Sequence, residues 1–175
     1  VTEQGHLGRR GGVDFMVAMN PQTWDADISE IEPGGYLFYD NSKPIPASRF
    51  REDIHVIGVP LTQICNAAYT EPRQRQLFKN IVYVGALSAL LNIDIEVIEK
   101  LIAEQYKSKP KLFEPNKQAL HMGRDYVQQN LQHPIGLQVK RADAVGNRIF
   151  LEGNSAAALG CVYGGATVCA WYPIT

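Results

Sequence analysis

The chain has 175 residues, 45% of them hydrophobic and 20% charged, with a formal net charge of −1. That composition fits an ordinary globular protein, gives no sequence-wide electrostatic case for nucleic acid or membrane binding, and contains no stretch long enough for a transmembrane helix. Cys65, Cys161 and Cys169 are far apart, with no C-x-x-C. This argues against a disulfide framework, a zinc site or an iron–sulfur cluster held by this chain, and fits a reducing, cytoplasmic compartment.

Residues 1–12 are rich in Gly and Arg, lack an apolar signal core and do not begin with Met, which suggests a processed chain or a fragment. Val13 to Asn20 is a nearly continuous apolar run closed by Asn20-Pro21, and predicts a buried strand with a loop at its carboxyl end. Thr23 or Asp25 then starts a short helix that turns Ile28 and Ile31 inward, and Pro33-Gly34-Gly35 breaks it. Residues 36–39 predict a second short strand, ended by Asp40-Asn41-Ser42, and residues 54–59 a third, ended by Pro60. Short parallel strands followed by helical or turn-rich sequence read as an α/β, doubly wound parallel sheet of Rossmann-like type.

Residues 74–91 are the strongest helix. Leu77, Ile81, Val84, Ser88 and Leu91 share a stripe, and Phe78, Val82, Ala86, Leu87 and Leu90 make most other faces apolar. Such a helix is buried or lies in an interface. Gly85 at its middle costs about 1 kcal/mol relative to Ala and calls for a close backbone contact. Asp94 caps a second helix with Ile95, Ile98, Leu101 and Ile102 inward, and Pro115 or Asn116 opens a third with Ala119, Leu120, Gly123, Tyr126 and Val127 on one side. The turn-rich, charged segment that follows reads as a linker, with 148–151 as a short lead-in strand. At the end, Asn154 is placed to cap a helix of small residues, Gly164-Gly165 to turn, and 166–171 to form a strand stopped by Pro173. Ligands of open α/β sheets gather outside the carboxyl ends of strands, and Thr175 stands at such an end.

Gly153-Asn154-Ser155-Ala156-Ala157-Ala158-Leu159-Gly160, followed by Tyr172-Pro173-Ile174-Thr175, resembles the opening of the alpha subunit of 2-oxoacid:ferredoxin oxidoreductases. The departures are Ser155, where that family usually has Glu, and an end before a second Pro. Val13-Asp14 through Asn20, Pro33-Gly34-Gly35, Lys79-Asn80 with Gly85, and Asn116 with Gly123 resemble the same family's gamma-type domain, without its G-x-G-G-x-G turn. The resemblance implies three parts: residues 1–130 as an incomplete gamma-type domain, 131–148 as an interdomain linker, and 149–175 as the first helix and strand of an alpha-type thiamine-diphosphate-binding domain. Fusion in this order is similar to 2-oxoglutarate-type enzymes.

The resemblance further implies a thiamine-diphosphate enzyme that oxidatively decarboxylates a 2-oxoacid, such as 2-oxoglutarate or pyruvate, to acyl-CoA and passes electrons to ferredoxin. Thiamine diphosphate with Mg2+ and the [4Fe-4S] clusters would be bound mainly by a beta subunit in a hetero-oligomer, with CoA as co-substrate. No Gly-Asp-Gly diphosphate motif occurs here, so the chain alone is expected to be inactive, with no catalytic or metal-binding residue of its own. Thr175 is the one expected substrate contact, near the substrate carboxylate; the other role open to it is capping a following helix.

Other residues carry less. His6, His55, His121 and His133 show no metal-ligand spacing. Arg9-Arg10 could meet a phosphate, such as one of CoA, or remain solvated, and Asn20 could touch a ligand or close a turn. Gly34-Gly35 and Gly164-Gly165 lack the context of phosphate loops, and Lys109-Pro110-Lys111 reads as an exposed loop. Two other readings stay open: a non-catalytic assembly module docking through helix 74–91, and an unrelated nucleotide-binding Rossmann module.

Overall fold

The computed structural model describes residues 11–141, 146–149 and 151–170. It divides into two compact units, with the boundary between Lys140 and Arg141. In the first, the described elements are β1 (Val13–Ala18), α1 (Trp24–Ser29), β2 (Ile31–Asp40), β3 (His55–Val59), α2 (Leu61–Ala68), α3 (Pro72–Leu90), α4 (Ile95–Gln105) and α5 (Phe113–Asn130). The strands pair in parallel, in the order β1-β2-β3. This is the expected α/β architecture.

Side chains alternate across β2 and build two cores. Leu37 joins Ala18, Trp24, Ile28, Ile31 and Ile54 on the α1 side. Phe38 joins Val59, Leu61, Cys65 and the inner residues of α3 and α5 on the other. Helical cover on both faces is what a parallel sheet of this composition requires.

Pro33-Gly34-Gly35 does not act as the expected helix stop. Helix α1 already ends at Ser29, and β2 begins at Ile31, with these three residues inside it. Val13 pairs with Ile31 and Phe15 with Tyr36, so the extra residues are thrown out as a bulge. Gly34 takes a positive φ of 78°, which glycine adopts without strain. Ile31 is therefore buried from the strand and not from the helix.

The glycine in α3 has a clear cause. A Cβ on Gly85 would lie 1.8 Å from the carbonyl oxygen of Leu120, and one on Gly123 would lie 1.8 Å from that of Val82. The two helices cross backbone to backbone at this pair, with Val82, Ala86, Ala89, Ala119 and Val127 closing the core around them. Asp94 caps α4 by accepting from the Glu96 N–H, as its position in the sequence predicts. Helix α5 opens earlier than expected, at Phe113, after a 3-10 turn over Pro110–Leu112 that takes in part of Lys109-Pro110-Lys111.

Beyond α5, the Ile135 N–H donates to Leu90 O and the Val139 N–H to Leu91 O, both at 2.9 Å. Residues 135–139 are thus bonded to the first unit. In the second unit the described helix is α6 (Gly153–Tyr163). Its N-cap is Glu152, without a side-chain cap bond, and not Asn154, which lies inside the helix. Gly165, at a φ of 88°, closes its carboxyl end. Residues 166–170 form no strand, nor do the described residues of 148–151, so both expected strands are absent there. Every described residue from 151 to 170 is exposed.

Candidate functional site

A cleft of about 370 Å³ opens at the carboxyl ends of β1 and β2. It is lined by Asn20 and Pro21 from the turn after β1, by the aromatic pair Trp24 and Tyr39, by the cations Lys43, Arg49 and Lys79, and by Asp40, Ser42 and Thr62. This is where the topology of open α/β sheets places ligands.

The aromatic wall is packed from several sides. Trp24 is buried, donates its indole N–H to Arg49 O at 3.3 Å, and meets Tyr39 and Phe50 edge-on at centroid distances of 5.6 Å. The Arg49 guanidinium lies 5.9 Å from the Trp24 ring centroid and pairs with Asp25 at 2.7 Å.

Asp40 gathers the polar groups of the cleft. Its carboxylate accepts from the Ser42 and Thr62 N–H groups at 3.1 and 3.3 Å, and from both hydroxyls. Lys79 Nζ lies 3.7 Å away. Burial alone would push the Asp40 carboxyl up; the hydrogen bonds from Ser42 and Thr62 outweigh it and hold the group below its ordinary value. Cationic side chains, a charged carboxylate and an aromatic wall suit a polar ligand that carries anionic groups.

Of the candidate site residues read from the sequence and described in the structure, Asn20 lines this cleft. Its side-chain oxygen accepts from the Gln22 N–H at 3.0 Å and its carbonyl from the Thr23 N–H at 3.2 Å, so it closes the turn after β1. Thr175, Tyr172, Pro173, His6, Arg9 and Arg10 lie outside the described residues. The other histidines are dispersed: His55 stacks on Tyr36, His121 meets Glu99 at 2.7 Å, and His133 bonds to Leu131 O. Asp40, Lys43, Arg49 and Lys79 are not among the site residues that the sequence points to. The signal for Asp40 and Lys43 was present, because Asp40-Asn41-Ser42 marks the end of a predicted parallel strand.

Among the described residues no group of three His, Cys, Asp or Glu side chains is placed to hold a metal. Cys65 is buried in the first unit, and Cys161 and Cys169 are exposed in the second.

The family model for pyruvate ferredoxin/flavodoxin oxidoreductase matches residues 3–126. Among curated proteins, the chain is 26% identical to 2-oxoacid:ferredoxin oxidoreductase 1, subunit alpha, of Aeropyrum pernix, over 93% of this chain and 31% of that one. It is 24% identical to the 2-oxoglutarate oxidoreductase subunit KorA of Mycobacterium tuberculosis, over 93% of this chain and 28% of the relative. It thus spans under a third of the length of these relatives.

Among solved structures, 2-oxoglutarate:ferredoxin oxidoreductase from Magnetococcus marinus, with 2-oxoglutarate, coenzyme A and succinyl-CoA bound, is similar at a TM-score of 0.73 and 23% identity. The likeness covers 89% of this chain and 27% of that one. The gamma subunit of a keto/oxoacid ferredoxin oxidoreductase from Geobacter sulfurreducens is similar at a TM-score of 0.50 and 22% identity, over 66% and 64% of the two chains. These likenesses speak for the fold. The family match covers well over half of the sequence, and the chain belongs to the pyruvate ferredoxin/flavodoxin oxidoreductase family.

Proposed function

We propose that this chain works as part of a subunit of a 2-oxoacid:ferredoxin oxidoreductase of the 2-oxoglutarate type, acting only in complex with a beta subunit. The observation that carries the reading is the family match over 3–126, which covers all three strands and the cleft at their carboxyl ends. In this reading residues 1–130 are the gamma-type domain, 131–148 the linker and 149–175 the opening of the alpha-type domain. The complex oxidatively decarboxylates a 2-oxoacid in the presence of CoA and delivers the electrons to ferredoxin. In the same reading thiamine diphosphate with Mg2+ and the [4Fe-4S] clusters are bound mainly by the beta subunit. Thiamine diphosphate supplies the electron sink for decarboxylation. Thr175 contacts the substrate carboxylate.

The cleft receives the anionic end of CoA. Lys43, Arg49 and Lys79 provide charge for phosphate groups, and the wall of Trp24 and Tyr39 excludes water on one side. A protein of similar fold was solved with coenzyme A bound, which supports CoA as a ligand of the assembled enzyme. Calorimetric titration of the chain with CoA tests the assignment. Binding weakened several-fold by Lys43→Ala, and by raising the salt concentration, is expected. Equal binding by wild type and Lys43→Ala would remove CoA from this cleft.

A further inference from the structure

We propose that Asp40, Ser42 and Thr62 form a clamp that positions Lys43 for the anionic ligand of the cleft; this rests on the reading of the cleft as the CoA site. Helix α2 starts after Pro60, whose side chain cannot cap it. Its first amides are satisfied from outside the helix. The Thr62 N–H donates to Asp40 Oδ1 at 3.3 Å and the Gln63 N–H to Ser42 Oγ at 3.1 Å. Ser42 Oγ in turn donates to Asp40 Oδ1 at 2.6 Å, and Thr62 Oγ1 donates to Oδ2. The turn that carries Lys43 is therefore stapled to the start of α2 through the residue immediately before it.

This arrangement decides where an anion is received. The amino end of α2 would ordinarily attract one, but Asp40 already fills that place. The task passes to side-chain cations. Arg49 is paired with Asp25, and Lys79 faces Asp40. Among the described residues Lys43 has no ion pair or hydrogen bond, so its charge is uncommitted. A lysine on a loose loop would lose much conformational freedom on binding, and fixing its backbone beforehand reduces that loss.

Ser42→Ala tests the clamp without changing any charge. CoA affinity of the 175-residue chain is measured by calorimetry, with melting curves alongside. Ser42→Ala should weaken CoA about fivefold, the scale of one hydrogen bond, and Ser42→Thr, which keeps the hydroxyl, should restore most of the affinity. In a Lys43→Ala background the same Ser42→Ala change should cost less than about twofold, because the clamp acts through Lys43. Thr62→Val, which removes the bond to Oδ2, should repeat the pattern and serves where Ser42→Ala melts below the assay temperature. Native affinity in a folded Ser42→Ala or Thr62→Val chain would overturn the clamp while leaving the CoA site in place. Equal losses in the presence and absence of Lys43 would overturn it too. No CoA binding by wild type, or none lost in Lys43→Ala, would overturn the CoA reading and the clamp with it.

Discussion

The crossing of α3 and α5 gives the sharpest stability prediction. Gly123→Ala adds one methyl group, which would sit 1.8 Å from Val82 O and 2.9 Å from the Ala86 nitrogen. An ordinary carbon–oxygen contact is about 3.3 Å or more, so the helices must part by about 1.5 Å. Both obstructing atoms are backbone, and no side-chain rotation clears them. A gap of even 0.5–1 Å forfeits about a quarter to a half of each dispersion contact across a packed surface. Val82, Ala86, Ala89, Ala119, Leu120 and Val127 are fully or nearly fully buried at or beside this crossing. Overpacking that forces such a backbone shift costs about 1–3 kcal/mol, and both obstructing atoms being backbone puts this site at the upper end. The gain in helix propensity from replacing Gly offsets about 1 kcal/mol. A net loss of about 2 kcal/mol follows at the upper end of that range, or a fall in Tm of about 4–8 °C for a chain of this size. Thermal melts of the 175-residue chain read it directly. Gly153→Ala is the control, since a Cβ there meets nothing within 4 Å, and it should leave Tm within about 2 °C. A Gly123→Ala chain that melts with wild type would refute the reasoning.

Brief trypsin digestion should cut first at Lys140, Arg141 or Arg148, which are exposed beyond the hydrogen-bonded segment 135–139; a first cut within 72–105 would contradict this. Asp40 has a lowered pKa, so its contribution to stability is present above the unfolded value of about 4 and is lost as pH falls through the lower folded value. Asp40→Asn should therefore destabilise at neutral pH by an amount that shrinks below about pH 4, and a constant difference across urea melts from pH 6 to 3 would contradict it. In the assembled enzyme, Thr175→Val should lower kcat/KM for the 2-oxoacid about 10- to 150-fold with little change in Tm, as expected for a lost hydrogen bond of about 1.5–3 kcal/mol to a charged group. Native kinetics with a lowered Tm would make Thr175 a helix cap instead.

What could be read from the sequence was mainly local. Asp94 announces α4 because a cap needs only its own next few residues, and Gly85 in an apolar helix announces a close neighbour because nothing else justifies its cost. The neighbour itself, Gly123, is fixed by tertiary packing that a single chain segment does not encode. Pro33-Gly34-Gly35 looks like a terminator from its own residues; only pairing with β1 turns it into a bulge. Helix α2 was missed because its amides are capped by Asp40 and Ser42, about twenty residues earlier, and Pro60 gives no sign of it. The cleft is legible at one residue, Asn20, which the sequence offers as a possible ligand contact. Its other lining residues follow only from the pairing of β1 with β2, which brings the strand ends at Ala18 and Asp40 side by side and which no single segment encodes.

The most direct test of the central claim is turnover by the assembled enzyme. The subunit containing this sequence is co-purified with its beta partner, supplied with thiamine diphosphate and Mg2+, and assayed for ferredoxin reduction. Reduction that requires both a 2-oxoacid and CoA, with 2-oxoglutarate as the favoured substrate, is the predicted result. A complex replete in thiamine diphosphate and iron that reduces ferredoxin with no 2-oxoacid, or does so equally well without CoA, would contradict it.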